Sequence, residues 1–146
     1  MSQGQGVDTR YLEGLLGYNA RRAALVIIDH FVRGMAEFDL RPVDFSVLSV
    51  IHHNPGVTSR QLCASLNILP PNLVGLIKAL EQRGLIERQP HPQDGRAVGL
   101  HATPQGQAFM QKAEARASEL EGQAAKGLNP AEQRQLIEWL QRIYLD

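Results

Sequence analysis

Between Thr58 and Gly84 lie two short helical segments separated by only Asn67-Ile68-Leu69, and this spacing restricts the chain to few folds. Thr58-Ser59-Arg60-Gln61 has the form of a capping box, in which the Thr58 hydroxyl accepts from the backbone amide three residues on and Gln61 reaches back to the cap. The helix it opens runs to Leu66. Asn67-Ile68-Leu69 forms a tight turn, and the fixed φ of Pro70-Pro71 suits the first turn of the next helix. Leu73, Leu76, Ile77 and Leu80 make one apolar stripe on that helix, and Gly84 supplies a left-handed end. Two short helices joined in this way are a helix-turn-helix.

The flanks extend the pattern. Leu85 to Gln89 can form a strand, Pro90 to Gly95 is turn-rich, and Ala97 to Ala102 can return as a second strand, giving a β-hairpin or wing. Upstream, Leu12, Leu15, Leu16, Ala23, Val26, Ile27, Phe31, Met35 and Phe38 keep to one face, which predicts a single long amphipathic helix over Tyr11 to Phe38. Pro42 opens a second helix that ends at Asn54-Pro55-Gly56. Downstream, Thr103-Pro104 opens a long helix with Phe109, Met110, Ala113, Ala117 and Leu120 on one face, stopped by Gly127. Asn129-Pro130-Ala131-Glu132 caps a last helix whose Leu136, Ile137, Leu140, Ile143 and Tyr144 are expected to face inward.

The reading is therefore mainly α with a small β-wing: a winged helix-turn-helix with N- and C-terminal dimerisation helices. It divides into a flexible tail (1–10), an N-terminal dimerisation helix (11–39), the DNA-binding domain (40–103) and C-terminal dimerisation helices (104–146). The first helix exceeds what one small core needs, so part of its stripe is left for a second chain.

Composition removes other classes. No apolar run approaches the roughly 20 residues that span a bilayer, and the Gly/Gln-rich start has no secretory pattern. No membrane partner is expected. A single cysteine, Cys63, excludes an internal disulfide and fits a cytoplasmic protein; beside Leu62, it reads as a small core residue rather than a redox sensor. His52-His53 and the other histidines match no ligand spacing, so neither metal nor cofactor is expected. No nucleophile, phosphate loop or carboxylate pair suggests an enzyme. Net charge is zero, but residues 58–103 hold five Lys/Arg against three Asp/Glu, the one net-basic third.

Helix-turn-helix docking assigns candidates for DNA. Asn72, near the start of the second helix, can bond an adenine edge or act only as an exposed first-turn cap. Arg60 and Lys78 suit phosphates or remain solvated, and Thr58 and Pro70 open the two helices. Arg96 after Gly95 can enter a minor groove or pair with Asp94 to shape the turn.

Gly56-Val57-Thr58-Ser59-Arg60-Gln61-Leu62, Leu80 to Arg88, Pro92-Gln93-Asp94-Gly95-Arg96 and Leu100 to Gly106 closely resemble the MarR family of bacterial transcriptional regulators, from about Leu12 onward. The resemblance implies a homodimer on a pseudo-palindromic operator of double-stranded DNA, with first and last helices interlocked, and a repressor released by a small ligand. The sequence departs from the family at Leu69, where a Ser or Thr cap is usual, at Val74-Gly75, and in keeping one basic residue of the wing, Arg96. These departures and the neutral charge leave an alternative, a winged-helix protein-interaction module. Leu15 to Ala23 is also similar to regulators of aromatic-acid catabolism, which implies an aromatic-acid or aryl-CoA effector at Tyr18, Asn19, Arg22 and His30. The same four polar groups equally suit an intersubunit hydrogen-bond and salt-bridge set.

Overall fold

A computed structural model describes residues 6–93 and 95–145. Its elements in chain order are α1 (Arg10–Glu13), α2 (Leu16–Gly34), a 3-10 turn (Ala36–Phe38), α3 (Pro42–His53), α4 (Ser59–Leu66), α5 (Pro70–Gln82), β1 (Ile86–Pro90), β2 (Val98–Ala102), α6 (Pro104–Ala124) and α7 (Pro130–Tyr144).

The single long first helix expected over Tyr11 to Phe38 is instead three pieces. Gly14 ends α1, and Leu15 is extended (φ −101°, ψ 133°) before α2 begins. The Asn19 side-chain amide holds the corner by donating to the carbonyls of Glu13 (2.9 Å) and Leu15 (2.7 Å), the second of which also accepts the first backbone bond of α2 from the Asn19 amide (3.2 Å). At the other end Met35 starts the 3-10 turn, and Asp39 in the left-handed region (φ 49°) turns the chain toward α3.

The local signals downstream act as expected. The Thr58 hydroxyl accepts from the Gln61 amide (3.2 Å), and the Gln61 side chain accepts from the Thr58 amide (3.0 Å). Asn129 and Glu132 form the same reciprocal cap at α7. Thr103 accepts from the Gly106 amide (2.9 Å) at α6. Gly84 is left-handed (φ 74°) just beyond α5. The strands pair antiparallel with Ile86 opposite Ala102 and Pro90 opposite Val98, so Leu85 and Ala97 fall just outside them.

The core joins α3, α4, α5, the hairpin base and α6 through Val47, Leu48, Ile51, Leu62, Leu73, Ile77, Leu100 and Met110, all nearly or fully buried. Only the C-terminal end of α2 reaches it: Met35 is fully buried, and Phe31 stacks edge-on against Phe45 (centroids 5.4 Å apart). The close seat of α6 depends on Gly106, where a Cβ would fall on the Leu85 carbonyl oxygen.

The inward-facing reading of the last helix is corrected. Leu136, Ile137, Leu140, Ile143 and Tyr144 are all exposed in the single chain, as are Leu25, Val26, Ile28 and Val32 on α2. The helical period was right for both stripes, but period alone does not say whether the covering surface belongs to the same chain. Among the described residues no single helix is long and apolar enough to cross a membrane.

Candidate nucleic-acid interface

The axes of α4 and α5 meet at a bend of 117°, within the range for a helix-turn-helix. Asn67, left-handed at φ 53°, ends α4, and Leu69 is extended so that Pro70 enters α5 with its missing N–H at a position that needs none. Leu73, Leu76, Ile77 and Leu80 bury one side of α5, and Asn72, Val74, Gly75 and Lys78 are left on the outside. The Asn72 side chain does not cap the helix: among the described residues it makes no hydrogen bond. A side chain at Gly75 would meet nothing within 4 Å, so the middle of this outer face is flat and open to close approach.

Thr58 and Arg60 flank this helix from the start of α4. The Thr58 hydroxyl is committed to its capping box, whereas Arg60 and Lys78 are exposed and in no ion pair among the described residues. At the wing, Arg88 is held by Glu81 of α5 (2.9 Å) and is thereby fixed beside the helix. Arg96 is exposed at the turn between the strands and engages a group within the molecule. Asp94, the partner considered for it, lies outside the described residues.

The wing is also anchored at its base. The Gly56 amide donates to the Leu100 carbonyl and the Leu100 amide to the Val57 carbonyl, both at 2.8 Å. Gly56 is left-handed (φ 91°), and Gly99 packs against its backbone. The loop that leads into the Thr58 cap is therefore bridged to β2. At the far end of α5, the Arg83 guanidinium donates to the carbonyls of Phe38 (2.7 Å) and Asp39 (2.9 Å) and lies over the Phe109 ring. This fastens the outward helix to the turn that ends the α2 segment. Sequence reading gave Arg83 and Arg88 no role, because their partners are set by the fold and not by spacing.

The four residues assigned to an effector separate into distinct environments. Arg22 donates to the Tyr18 hydroxyl (2.8 Å) and lies over the same ring, one turn away. Asn19 is engaged with backbone at the α1–α2 corner. His30 stands two turns beyond Arg22, with Nε2 buried and without a hydrogen-bond partner among the described residues. An apolar cleft nearby, between α2, α6 and α7, is lined by Ile27, Ala124, Leu128, Leu136, Ile137 and Leu140, and by none of the four.

Cys63 is half-buried and packs against the core. His52 and His53, at the end of α3, meet Glu114 of α6, a residue that sequence reading missed because it stands 61 positions from His53. Burial alone would raise the Glu114 pKa. Hydrogen bonds from Ser49 and His53 and the neighbouring histidine charges outweigh that effect and hold it below its ordinary value.

Comparison with known proteins agrees with this geometry. The profile of the MarR family matches residues 38–97, which span α3, the helix-turn-helix, the first strand of the hairpin and the turn that follows it. A solved structure of the transcriptional repressor CouR bound to a 23-mer DNA duplex is 33% identical, covers 95% of this chain and 99% of its own, and superposes with a TM-score of 0.88. CouR from Rhodococcus jostii RHA1 bound to p-coumaroyl-CoA is 27% identical over 92% of this chain and 94% of its own, with a TM-score of 0.82. A protein assigned to regulation of the hcr operon in Thauera aromatica is 29% identical, over 91% of this chain and 81% of its own length.

Proposed function

This chain belongs to the MarR family of transcriptional regulators, and on that premise we propose that it is a homodimeric repressor of a pseudo-palindromic operator, released by an aromatic carboxylate or its CoA thioester. The observation that carries the reading is the outer face of α5. Asn72 and Lys78 stand free at a 117° bend from α4 beside a rigidly based wing, in a fold that matches a DNA-bound repressor along nearly its whole length.

In this reading α5 enters the major groove. Pro70 fixes where the helix begins, so that Asn72 in its first turn meets a base edge. Thr58, Arg60 and Lys78 lie against phosphates and set the register. Arg96 reaches the adjacent minor groove from the wing. With few side chains on α5 able to read bases, much of the selectivity comes from the shape of the DNA. The second copy is supplied by the unpartnered stripes of α2 and α7. Val26 is 60% exposed and Ile143 65%, and isolated helices with such faces are covered by another subunit in stable dimers. Domain boundaries follow: residues 11–39 and 104–146 pair the chains and 40–103 binds DNA.

For the effector, the pairing of Arg22 with Tyr18 presents a guanidinium and a ring on one helix, which suits an aromatic group bearing an anion. His30 offers a buried nitrogen in need of a partner. The likeness to a regulator bound to p-coumaroyl-CoA supports an aryl-CoA. Asn19 contributes by shaping the corner.

Fluorescence anisotropy with the chain's own upstream intergenic DNA tests the proposal. We expect tight binding to one segment, affinity that falls steeply with salt, and release by p-coumaroyl-CoA or p-coumarate. Failure to prefer any segment at low salt overturns the repressor reading. In that case the exposed Leu69 and Val74 at the start of α5 favour a protein-interaction module, whose binding would be insensitive to salt.

A further inference from the structure

His52, His53 and Glu114 bring three potential ligand atoms within 4.8 Å of one another at the junction of α3 and α6. We propose that this junction is a binding site for a divalent transition-metal ion of the Zn2+ class. The inference is independent of the DNA and effector readings.

Two imidazoles and one carboxylate are a donor set that holds Zn2+ with one position left open. The borderline nitrogen donors also favour the late first-row ions over Mg2+ or Ca2+. Three further features fit. His53 Nε2 already approaches both Glu114 carboxylate oxygens, at 2.8 and 3.1 Å, so a metal ion need only replace the shared proton. Ser49 donates to Glu114 Oε2 (2.8 Å), which orients the carboxylate as an outer partner of a metal ligand does. His52 Nδ1 is buried and lacks a hydrogen-bond partner among the described residues, so no protein group competes for that nitrogen. The two histidine rings lie 4.9 Å apart, centroid to centroid, so both can turn toward one ion. His53 is the exposed member, which leaves an entry path and a place for water at the open position.

The ion would join the helix that ends in the Asn54-Pro55-Gly56 turn to the helix that leads away from the wing. It would fix the helix-turn-helix against α6.

Titration of tag-free, full-length protein with Zn2+ against a chromophoric chelator is the test, with Co2+ as a spectroscopic stand-in for coordination number. One equivalent per chain is expected, together with a rise in Tm on adding Zn2+ and a four-coordinate Co2+ spectrum. His52→Asn, His53→Asn and Glu114→Gln should each weaken binding about tenfold or more, and Ser49→Ala by a smaller but measurable factor. Glu114→Gln keeps the shape of the side chain, and circular dichroism confirms that each variant is folded. His91→Asn and His101→Asn should leave the affinity unchanged. Absence of saturable binding by the wild-type chain overturns the site. So does wild-type affinity in any one of the three ligand variants.

Discussion

Leu48 and Val26 are both apolar residues on amphipathic helices of one chain, yet Leu48 is fully buried and Val26 is largely exposed. The difference separates two regions. Around Leu48, helices α3 to α6 close on one another over a buried apolar core, and the helix starts at Thr58 and Thr103 are capped. Along α2 and α7 the stripe is equally regular but has no cover. The first region satisfies itself, so its stability is a property of the single chain. The second is uncovered in the single chain, and under the proposed pairing of two copies its stability depends on concentration.

The largest effect is expected on α7. Replacing Leu140 and Ile143 by Glu should give a folded monomer in sedimentation analysis and lower operator affinity by about 100-fold or more, because two linked half-site contacts become one. A variant that remains dimeric would show that the stripe is not the interface. Leu48→Ala is the converse case. It should lower unfolding stability by about 2–5 kcal/mol in urea while leaving the association constant nearly unchanged. Gly106→Ala should cost about 1–3 kcal/mol in the same measurement, since its Cβ meets backbone that cannot swing aside.

Smaller effects are expected on the outer face of α5. Asn72→Ala should cost about 1–3 kcal/mol of specific binding and relax preference at one base pair, whereas Lys78→Ala should weaken all sequences alike and reduce the salt slope by about one. Equal losses on specific and random DNA for Asn72→Ala would remove it from base reading. The smallest effect is at the start of α3. Burial would raise the Asp44 pKa, but hydrogen bonds and charge from Arg41 hold it below the ordinary carboxylate value. A lowered folded-state pKa means that Asp44 stabilises the fold above its unfolded value, and that this contribution is lost as pH falls through the folded value. Asp44→Asn should therefore destabilise by about 1 kcal/mol at neutral pH, with the penalty shrinking as pH falls below the ordinary carboxylate range, as read by urea unfolding across that range.

What could be read in advance follows the range of the interactions. Thr58 with Gln61, Thr103 with Gly106 and Asn129 with Glu132 each act over three residues, so the helix starts were legible in the sequence. The α1–α2 break was not. Leu12, Leu15 and Leu16 keep the helical period across it, and Gly14 is the only local sign of the corner that Asn19 stabilises. The outer face of α5 was legible because the buried stripe fixes it by exclusion. The fastenings by Arg83 and Glu114 were not, because each reaches across more than forty residues to a partner that only the packed core brings near.

The bridge between Val57 and Leu100 has a consequence for how such a chain can diversify. It makes the base of the hairpin and the entrance to α4 a single joint, and the residues between Pro90 and Val98 lie beyond it. Changes in the length or charge of that tip are therefore separated from the pose of α5 by this joint. Under the proposed docking, the wing and α5 can thus vary independently on one scaffold.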